Sequence, residues 1–327
     1  MRKIIESPQR WDEKATMLFL RRLEESASVE DLHLDLRPTT FVEPLGVLLM
    51  AEAIKTLAAE RRKKHLKTLF TPPKPTSPAH SYLRFFGFYE YIKGENGNFL
   101  KNTSGNKRYV PLMVVREDDL IDSFDKHQIL QYVIHQLSEQ LAEVLFTSDP
   151  EQIMASYCFR EVIRNVFEHA ETNYCIVMAQ RWPQLGEAEI VVLDHGIGIY
   201  GTLAPTLDIE TVDDALSKSL LPGISSKLSF EIDDYWANSG YGLYILSQLG
   251  RMTGEFFLAS NNRYIRITSS PNSPIFGDMP YFAGTVVKIR VSFEEAEFFP
   301  NILKSIVETG EKISPTGRKA SASSQIQ

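Results

Sequence analysis

The sequence is poor in cysteine, in long apolar runs and in excess positive charge. Its two cysteines, Cys158 and Cys175, are too few for a disulfide framework and too far apart for a paired zinc or redox motif, so buried thiols are expected. No stretch approaches the roughly 18 apolar residues of a membrane span, and the start lacks the apolar core of a secretion signal. With 35 Lys and Arg against 42 Asp and Glu, a protein that coats nucleic acid is not expected. These absences predict a cytoplasmic protein without a membrane or nucleic-acid partner.

What is present is typical of a globular α/β chain of roughly two domains, with 327 residues of which 43% are hydrophobic. The first domain is predicted over 1–95 as a βαβα unit. Its elements are a strand at 33–37, a helix at 41–60 with Pro44 in its first turn, a strand at 65–70 and an aromatic helix at 82–92. The basic run RRKK (61–64) favours a solvated helix end that complements the helix dipole, with a binding patch as the alternative.

A second domain is predicted over 122–300, after a linker or insertion at 96–121. Its helices are expected at 124–146, at about 153–170 and after the glycines at 240–242, while 200–239 shows few patterns. Its strands are expected at 173–182, 187–196, 256–262, 263–270 and 284–293. The remainder, 301–327, is predicted to hold a helix end and then a disordered tail.

One face of the helix near residue 160 carries an unusual polar stripe. Glu161, Asn165 and His169 follow one another at intervals of four, and Ala170 comes directly afterwards. Taken alone, such a stripe is more typical of a solvated helix face than of a site.

Two glycine-rich turns follow the stripe. Asp194 ends an apolar strand and precedes Gly196 and Gly198, an arrangement that suits either a tight turn or close approach of a flat ring. Gly240 and Gly242 open a helix, where backbone N–H groups can hold phosphate, although such loops are common in α/β proteins.

The order of these motifs resembles the GHKL superfamily, which includes gyrase, heat-shock chaperones, histidine kinases and anti-sigma-factor kinases. The stripe with Ala170 is similar to the N box, DHGIG (194–198) to the G1 box, GYGL (240–243) to the G2 box and Gly284-Thr285 to the terminal Gly-Thr of the Bergerat ATP-binding fold. The resemblance covers roughly 125–295. It implies an α/β (α+β) two-layer sandwich that binds ATP and Mg²⁺.

The resemblance also implies roles for single residues. Asp194 would bind the adenine amino group, with Gly196 and Gly198 shaping the base pocket, and Thr285 would support the adenine end. Asn165 would hold the Mg²⁺ that bridges the phosphates. The remaining candidates for phosphate contacts are Gly240, Gly242, Leu243, His169 and one of the lysines Lys218 and Lys227. For the two lysines, plain solvated charge remains the favoured interpretation.

Glu161 would activate water if ATP is hydrolysed, or act near a substrate hydroxyl in a kinase. The preferred function is an ATP-binding regulatory protein with slow hydrolysis. A serine or threonine kinase of the anti-sigma-factor type and a non-hydrolysing nucleotide-gated adaptor remain open. Asn238 replaces the first glycine of many G2 boxes, which could alter lid closure. His127 and His135 lack the sequence context of a histidine-kinase phosphoacceptor.

The stretch 34–54, LDLRPTTFVEPLGVLLMAEAI, resembles an element of STAS domains, with Pro44 near the position of the phosphorylatable serine. A generic α/β interaction module explains the first domain nearly as well. A protein partner, which could itself be STAS-like, is expected, and the amphipathicity of 124–146 suggests a homodimer.

Overall fold

The computed structural model describes residues 2–94, 108–120, 126–226, 238–294 and 296–325. The chain forms two compact units, Met1–Asn102 with Pro111–Met113, and Thr103–Val110 with Val114–Gln327. Both mix helices with strands, so the predicted α/β (α+β) class is confirmed at this level. Across the described ranges, no helix combines the length and the hydropathy needed to cross a bilayer.

The first unit is built on a small parallel sheet. Its elements are β1 (Arg2–Glu6), β2 (Arg10–Trp11), α1 (Glu13–Glu24), β3 (Asp31–Asp35), β4 (Phe41–Val42), α2 (Pro44–Lys63), β5 (Lys67–Thr71), α3 (Pro78–Phe85) and α4 (Phe88–Lys93). Strands β1, β3 and β5 pair in that order, and β2 pairs with β4. The predicted strands and helix are present within a few residues, but β1, β2 and α1 had no counterpart in the sequence prediction.

Two local signals explain the differences in the first unit. Helix α2 begins at Pro44, whose missing N–H lies where no intrahelical bond is made, and Phe41–Val42, predicted as the start of this helix, form β4 instead. The single aromatic helix predicted at 82–92 is instead two helices, because Gly87 adopts a left-handed conformation with φ of 73° between them.

Arg61 corrects the interpretation of the basic run 61–64 as a solvated cap. Its guanidinium is buried and donates to the carbonyl oxygens of Ala27, Val29 and Lys67 at 2.5 to 2.8 Å. The other three residues of the run are exposed. Arg61 therefore satisfies carbonyl groups that the loops beside β3 and β5 would otherwise bury unpaired.

The second unit carries the larger sheet. Its elements are β6 (Tyr109–Arg116), α5 (Glu117–Leu120), α6 (Lys126–Leu145), α7 (Asp149–His169), β7 (Tyr174–Trp182), β8 (Glu187–Asp194), α8 (Gly198–Leu203), α9 (Val212–Ser219), α10 (Gly242–Thr253), β9 (Gly254–Thr268), β10 (Ile275–Ser292) and α11 (Phe299–Ile313). The strand order is β6-β7-β8-β10-β9. The pairs β7–β8, β8–β10 and β10–β9 are antiparallel. Helix α7 contacts β7 and β8, α10 contacts β9 and β10, and α6 covers α7.

Several boundaries in the second unit differ from those predicted. Within the expected linker 96–121, residues 109–116 form the edge strand β6 instead. The segment 200–239 contains α8 and α9. The two strands predicted at 256–270 are one continuous strand, β9. Both cysteines are free and buried, which confirms that prediction.

The C-terminal residues differ most from the prediction. The composition of 314–327 predicted disorder, yet 314–325 follow a defined path in which Ser323 and Ser324 are buried. Hydrogen bonds to surrounding side chains hold this segment, because its small polar residues have little apolar surface to bury.

Candidate functional site

A single hollow in the second unit brings most of the predicted site residues together. Asp194 and Asn165 both line it, from the end of β8 and the last turns of α7. With its open mouth it has an empty volume of about 910 Å³. Its apolar wall includes Val162, Val166, Val192, Leu203 and Val287. A few polar groups converging on an apolar cleft are typical of a small-molecule site.

The polar stripe of α7 faces this hollow, which corrects the interpretation of the stripe as a solvated helix face. Glu161 is only 4% exposed, and Asn165 and His169 line the same wall. Asn165 Nδ2 is buried and has no hydrogen-bond partner within the described residues. An amide aimed into a cleft without a partner fits a site that completes its hydrogen bonding with a ligand.

Asp194 lies at the bottom of the hollow in a nearly dry setting. It is 3% exposed, and burial raises the pKa of its carboxyl to about 6. Hydrogen bonds from the Gly196 N–H, at 2.7 Å, and from the backbone and side chain of Thr285 oppose that rise in the pKa. With a pKa of about 6, the carboxyl is mainly ionised at neutral pH, but it takes up a proton at a higher pH than an exposed aspartate does.

The glycines beside Asp194 permit close packing of backbones. A Cβ at Gly196 would overlap the carbonyl oxygen of Ala170, which accepts the Ile197 N–H at 2.9 Å. Gly198 and Gly284 have φ of 72° and 120°, and a Cβ at Gly284 would overlap the Asp194 backbone. As far as the described residues define it, the hollow is not lined by Gly196 or Gly198 themselves, so they act through the turn they form.

The glycine loop 238–242 forms the opposite side of the hollow. Gly240 has φ of 73°, and Gly242 begins α10. A Cβ on Gly242 would lie 2.8 Å from Glu161 Oε2, so the N-terminus of α10 is directly beside the stripe. Leu243 lines the hollow with both glycines. Unpaired N–H groups at a helix N-terminus favour negative charge.

Asn238 joins the glycine loop to the end of α7. Its Nδ2 lies 2.7 Å from both Glu168 Oε2 and His169 Nε2, while its Oδ1 accepts the Gly240 N–H at 3.0 Å. The sequence marked Asn238 only as a departure from glycine. In the fold it couples two walls of the site.

Two buried arginines of α7 were missed by the sequence analysis. Arg160 donates from Nε and Nη2 to Glu161 Oε1 at 3.1 and 3.0 Å, and Arg164 donates to Glu168 Oε1 at 2.9 Å. Burial raises the pKa of Glu168, opposed by Arg164 and by Asn238. Each arginine directly precedes a stripe residue in the sequence. This adjacency is the only sequence feature that could have indicated a role for the arginines in the site.

The lysine candidates are not brought to the hollow by the described structure. Lys218 lies on α9 with its Nζ 3.0 Å from Asp214 Oδ2 and bonded to the Asp208 carbonyl. Lys227 lies outside the described residues. In the described part of the chain, no group of three or more His, Cys, Asp or Glu side chains could hold a metal ion.

The histidines of α6 form no part of the hollow in the described structure. His135 lies 3.4 Å from Glu139, one turn further along α6. The side chain of His127 lies outside what the structure describes.

No known family model matches the chain, and no curated protein matches its sequence.

Proposed function

We propose that the second unit is a Bergerat-fold ATP-binding domain of the GHKL superfamily and that the chain is a regulatory protein that hydrolyses ATP slowly. The observation that carries the proposal is the meeting of Asp194 and Asn165 in one hollow. The four short motifs are spread over residues 161–285, yet they pack against one another around that hollow.

The base end of the site is the Asp194 carboxylate. An ionised carboxylate accepts hydrogen bonds only, so it suits the exocyclic amine of adenine. Thr285 and the Gly196 N–H hold the carboxylate in place, and the apolar side chains around it provide a slot for a flat ring. The same arrangement discriminates against a purine that carries a carbonyl oxygen at that position.

The phosphate end is the space between the stripe and the glycine loop. Asn165 has an amide oxygen, which is a type of ligand that coordinates Mg²⁺. The N-terminus of α10 favours the binding of anionic oxygens. When bound, Mg²⁺ neutralises phosphate charge. Asn238 holds the loop against α7, so it positions the backbone N–H groups of Gly240 and its neighbours.

Glu161 is the candidate base for water. Its Oε1 is held by Arg160, which fixes the carboxylate, while Oε2 is turned toward Gly242 at the phosphate end. A carboxylate held in this way can accept a proton from water within hydrogen-bond reach.

The binding proposal is tested with Asp194→Ala in a calorimetric titration with ATP and Mg²⁺. We expect binding to be lost while Asp208→Asn, which neutralises an exposed carboxylate of the same unit, binds as the wild type does. Inosine triphosphate, which lacks the amino group, should bind at least about tenfold more weakly than ATP because it leaves a buried acceptor unpaired. Equal affinities of Asp194→Ala and wild type for ATP would contradict the proposal.

The hydrolysis step is tested with Glu161→Gln. This variant should bind ATP with the wild-type dissociation constant and release phosphate at least about a hundredfold more slowly, since general base catalysis contributes factors of that order. Glu143→Gln, an exposed glutamate of α6, is the matched control. Hydrolysis by Glu161→Gln at the wild-type rate would exclude Glu161 as the base.

A further inference from the structure

The C-terminal residues 314–325, called the tail from here on, run past the glycine loop to α7, and Ser324 lines the hollow. The tail begins after α11, where the Ser314 hydroxyl donates to the Pro222 carbonyl at 3.1 Å and the Thr316 hydroxyl donates to the Gly223 carbonyl at 3.3 Å. The Gly223 N–H in turn donates to the carbonyl of Gly240 at 3.1 Å. The start of the tail is therefore tied to the glycine loop through one backbone bridge.

The middle of the tail contacts the glycine loop itself. Tyr241 Oη donates to the Arg318 carbonyl at 2.6 Å. The Ser239 hydroxyl lies 3.3 Å from the hydroxyls of both Ser321 and Ser324. Ser239 directly precedes Gly240, so the tail holds the loop at the residue where its glycines begin.

The end of the tail contacts α7. Arg160 Nη2 donates to the Ser323 carbonyl at 2.5 Å, and Arg164 Nη1 donates to Ser323 Oγ at 3.2 Å. Tyr157 Oη donates to the Ser324 carbonyl at 3.3 Å. Ser324 also lines the hollow, alongside Ser239 and the glycines of the loop. One segment thus engages the loop and the stripe helix together.

We propose that the tail is an intramolecular strap that occupies the phosphate end of the hollow and must detach before a nucleoside triphosphate can bind. This inference rests on the proposed function and adds its regulation. The strap is self-inhibitory, and any partner or modification that removes it would open the site.

The contacts of the tail support competition with phosphate. The tail presents carbonyl and hydroxyl oxygens to two guanidinium groups and to the loop hydroxyl, and phosphate oxygens are acceptors of the same kind. A triphosphate approaching the loop would meet Ser324, Ser239 and Arg164, which line the hollow; Ser239 and Arg164 are already hydrogen-bonded to the tail. The docked tail and a bound triphosphate would therefore compete for the same side of the hollow.

The composition of the tail supports reversible detachment. Residues 314–325, SPTGRKASASSQ, include no large apolar side chain, so release exposes little apolar surface. None of the buried apolar residues of α10 and α11 belongs to the tail, so its release removes no side chain from their packing. Segments held mainly by polar contacts open at low free energy without global unfolding.

The first test uses the full-length wild type and trypsin. Lys319 is exposed, but the next residue donates its N–H to Glu311 and Ser323 is buried, so cleavage after Lys319 should be slow while the tail is docked. A non-hydrolysable ATP analogue with Mg²⁺ should accelerate that cleavage about tenfold, whereas adenosine, which lacks phosphates, should leave it unchanged. Cleavage that the ATP analogue slows or leaves unchanged overturns the strap.

The second test displaces the tail without nucleotide. Ser323→Trp in the full chain introduces an indole where the side chain has no exposed surface, and Gln325→Trp adds the same group at an exposed position two residues later. If the tail is docked in about ten molecules for each open one, Ser323→Trp should bind the ATP analogue about tenfold more tightly. Gln325→Trp should match the wild type.

The two proposals fail differently. A wild type that binds no nucleotide overturns both. A wild type that binds the analogue, together with a folded Ser323→Trp variant of equal or weaker affinity, overturns the strap alone. If Ser323→Trp does not fold, the trypsin result on the wild type decides.

Discussion

Replacing Asp194 by Asn should stabilise the second unit although it removes the group proposed to bind the base. Burial makes the charged form of Asp194 costly, so its pKa is about 6 in the folded chain against an ordinary value of 3.8. Asn has the same shape and keeps an oxygen that can accept the Gly196 N–H. The substitution therefore removes the buried charge and keeps the Gly196 contact, but its amide nitrogen cannot accept the hydrogen bonds that Thr285 donates to the carboxylate. Protonation of Asp194 weakens the same hydrogen bonds, so the protonated wild type is the appropriate reference for the variant.

The size and the sign of the effect follow from linkage. A difference between 3.8 and about 6 in the pKa corresponds to about 3 kcal/mol of folding free energy. Because the folded-state pKa is raised, the favourable contribution of Asp194 is complete below pH 3.8 and is lost as the pH rises through about 6. At pH 8, Asp194→Asn should exceed the wild type by about 3 kcal/mol in free energy of unfolding, and near pH 4 the two should be equal within about 1 kcal/mol.

The assay is urea unfolding followed by circular dichroism at pH 4, 6 and 8, with Asp208→Asn as the exposed control. The control should show no comparable pH-dependent gain. A stability difference between Asp194→Asn and wild type that does not change with pH would contradict the burial argument. So would a variant that is less stable than the wild type at pH 8.

Three further predictions follow from the site. Adenosine should bind about tenfold more weakly at pH 5 than at pH 7, because Asp194 loses its charge below about 6; titrations that give the same affinity at both pH values would contradict this. Gly196→Ala should cost about 1–3 kcal/mol in urea unfolding, because its Cβ meets backbone, whereas Gly201→Ala in α8 meets only an Ile side chain and should cost less. Asn238→Asp should destabilise more than Asn238→Ala at pH 7, because it places a carboxylate against Glu168; the reverse order of urea midpoints would refute this.

The sequence predicted the parts of the site that depend on short-range patterns. The interval of four residues placed Glu161, Asn165 and His169 on one face of α7, and the strand before Asp194 placed that carboxyl at a sheet end. That they share a cleft was predicted from the resemblance of their order to the GHKL motifs, and not from the local patterns alone.

The sequence did not reveal the parts of the site that depend on long-range partners. Nothing local to Arg160 shows that its guanidinium meets a carbonyl of the tail, 163 residues away. The composition of the tail is that of disorder, and its order depends on hydrogen bonds with residues of other elements, such as Tyr157 and Tyr241. Arg61 in the first unit is a second example. It is buried because it donates to carbonyl groups distant in sequence, which the basic run 61–64 alone does not indicate.

The two buried thiols can report the unfolding of the second unit without an added label. Cys158 in α7 and Cys175 in β7 have no exposed surface, and burial raises the pKa of both, so neither supplies the thiolate that alkylating reagents attack. Consumption of such a reagent by the native chain would therefore time the unfolding of the sheet and its covering helix. A cysteine introduced on the surface would be the single reactive thiol, ready for a dye without removal of the native pair.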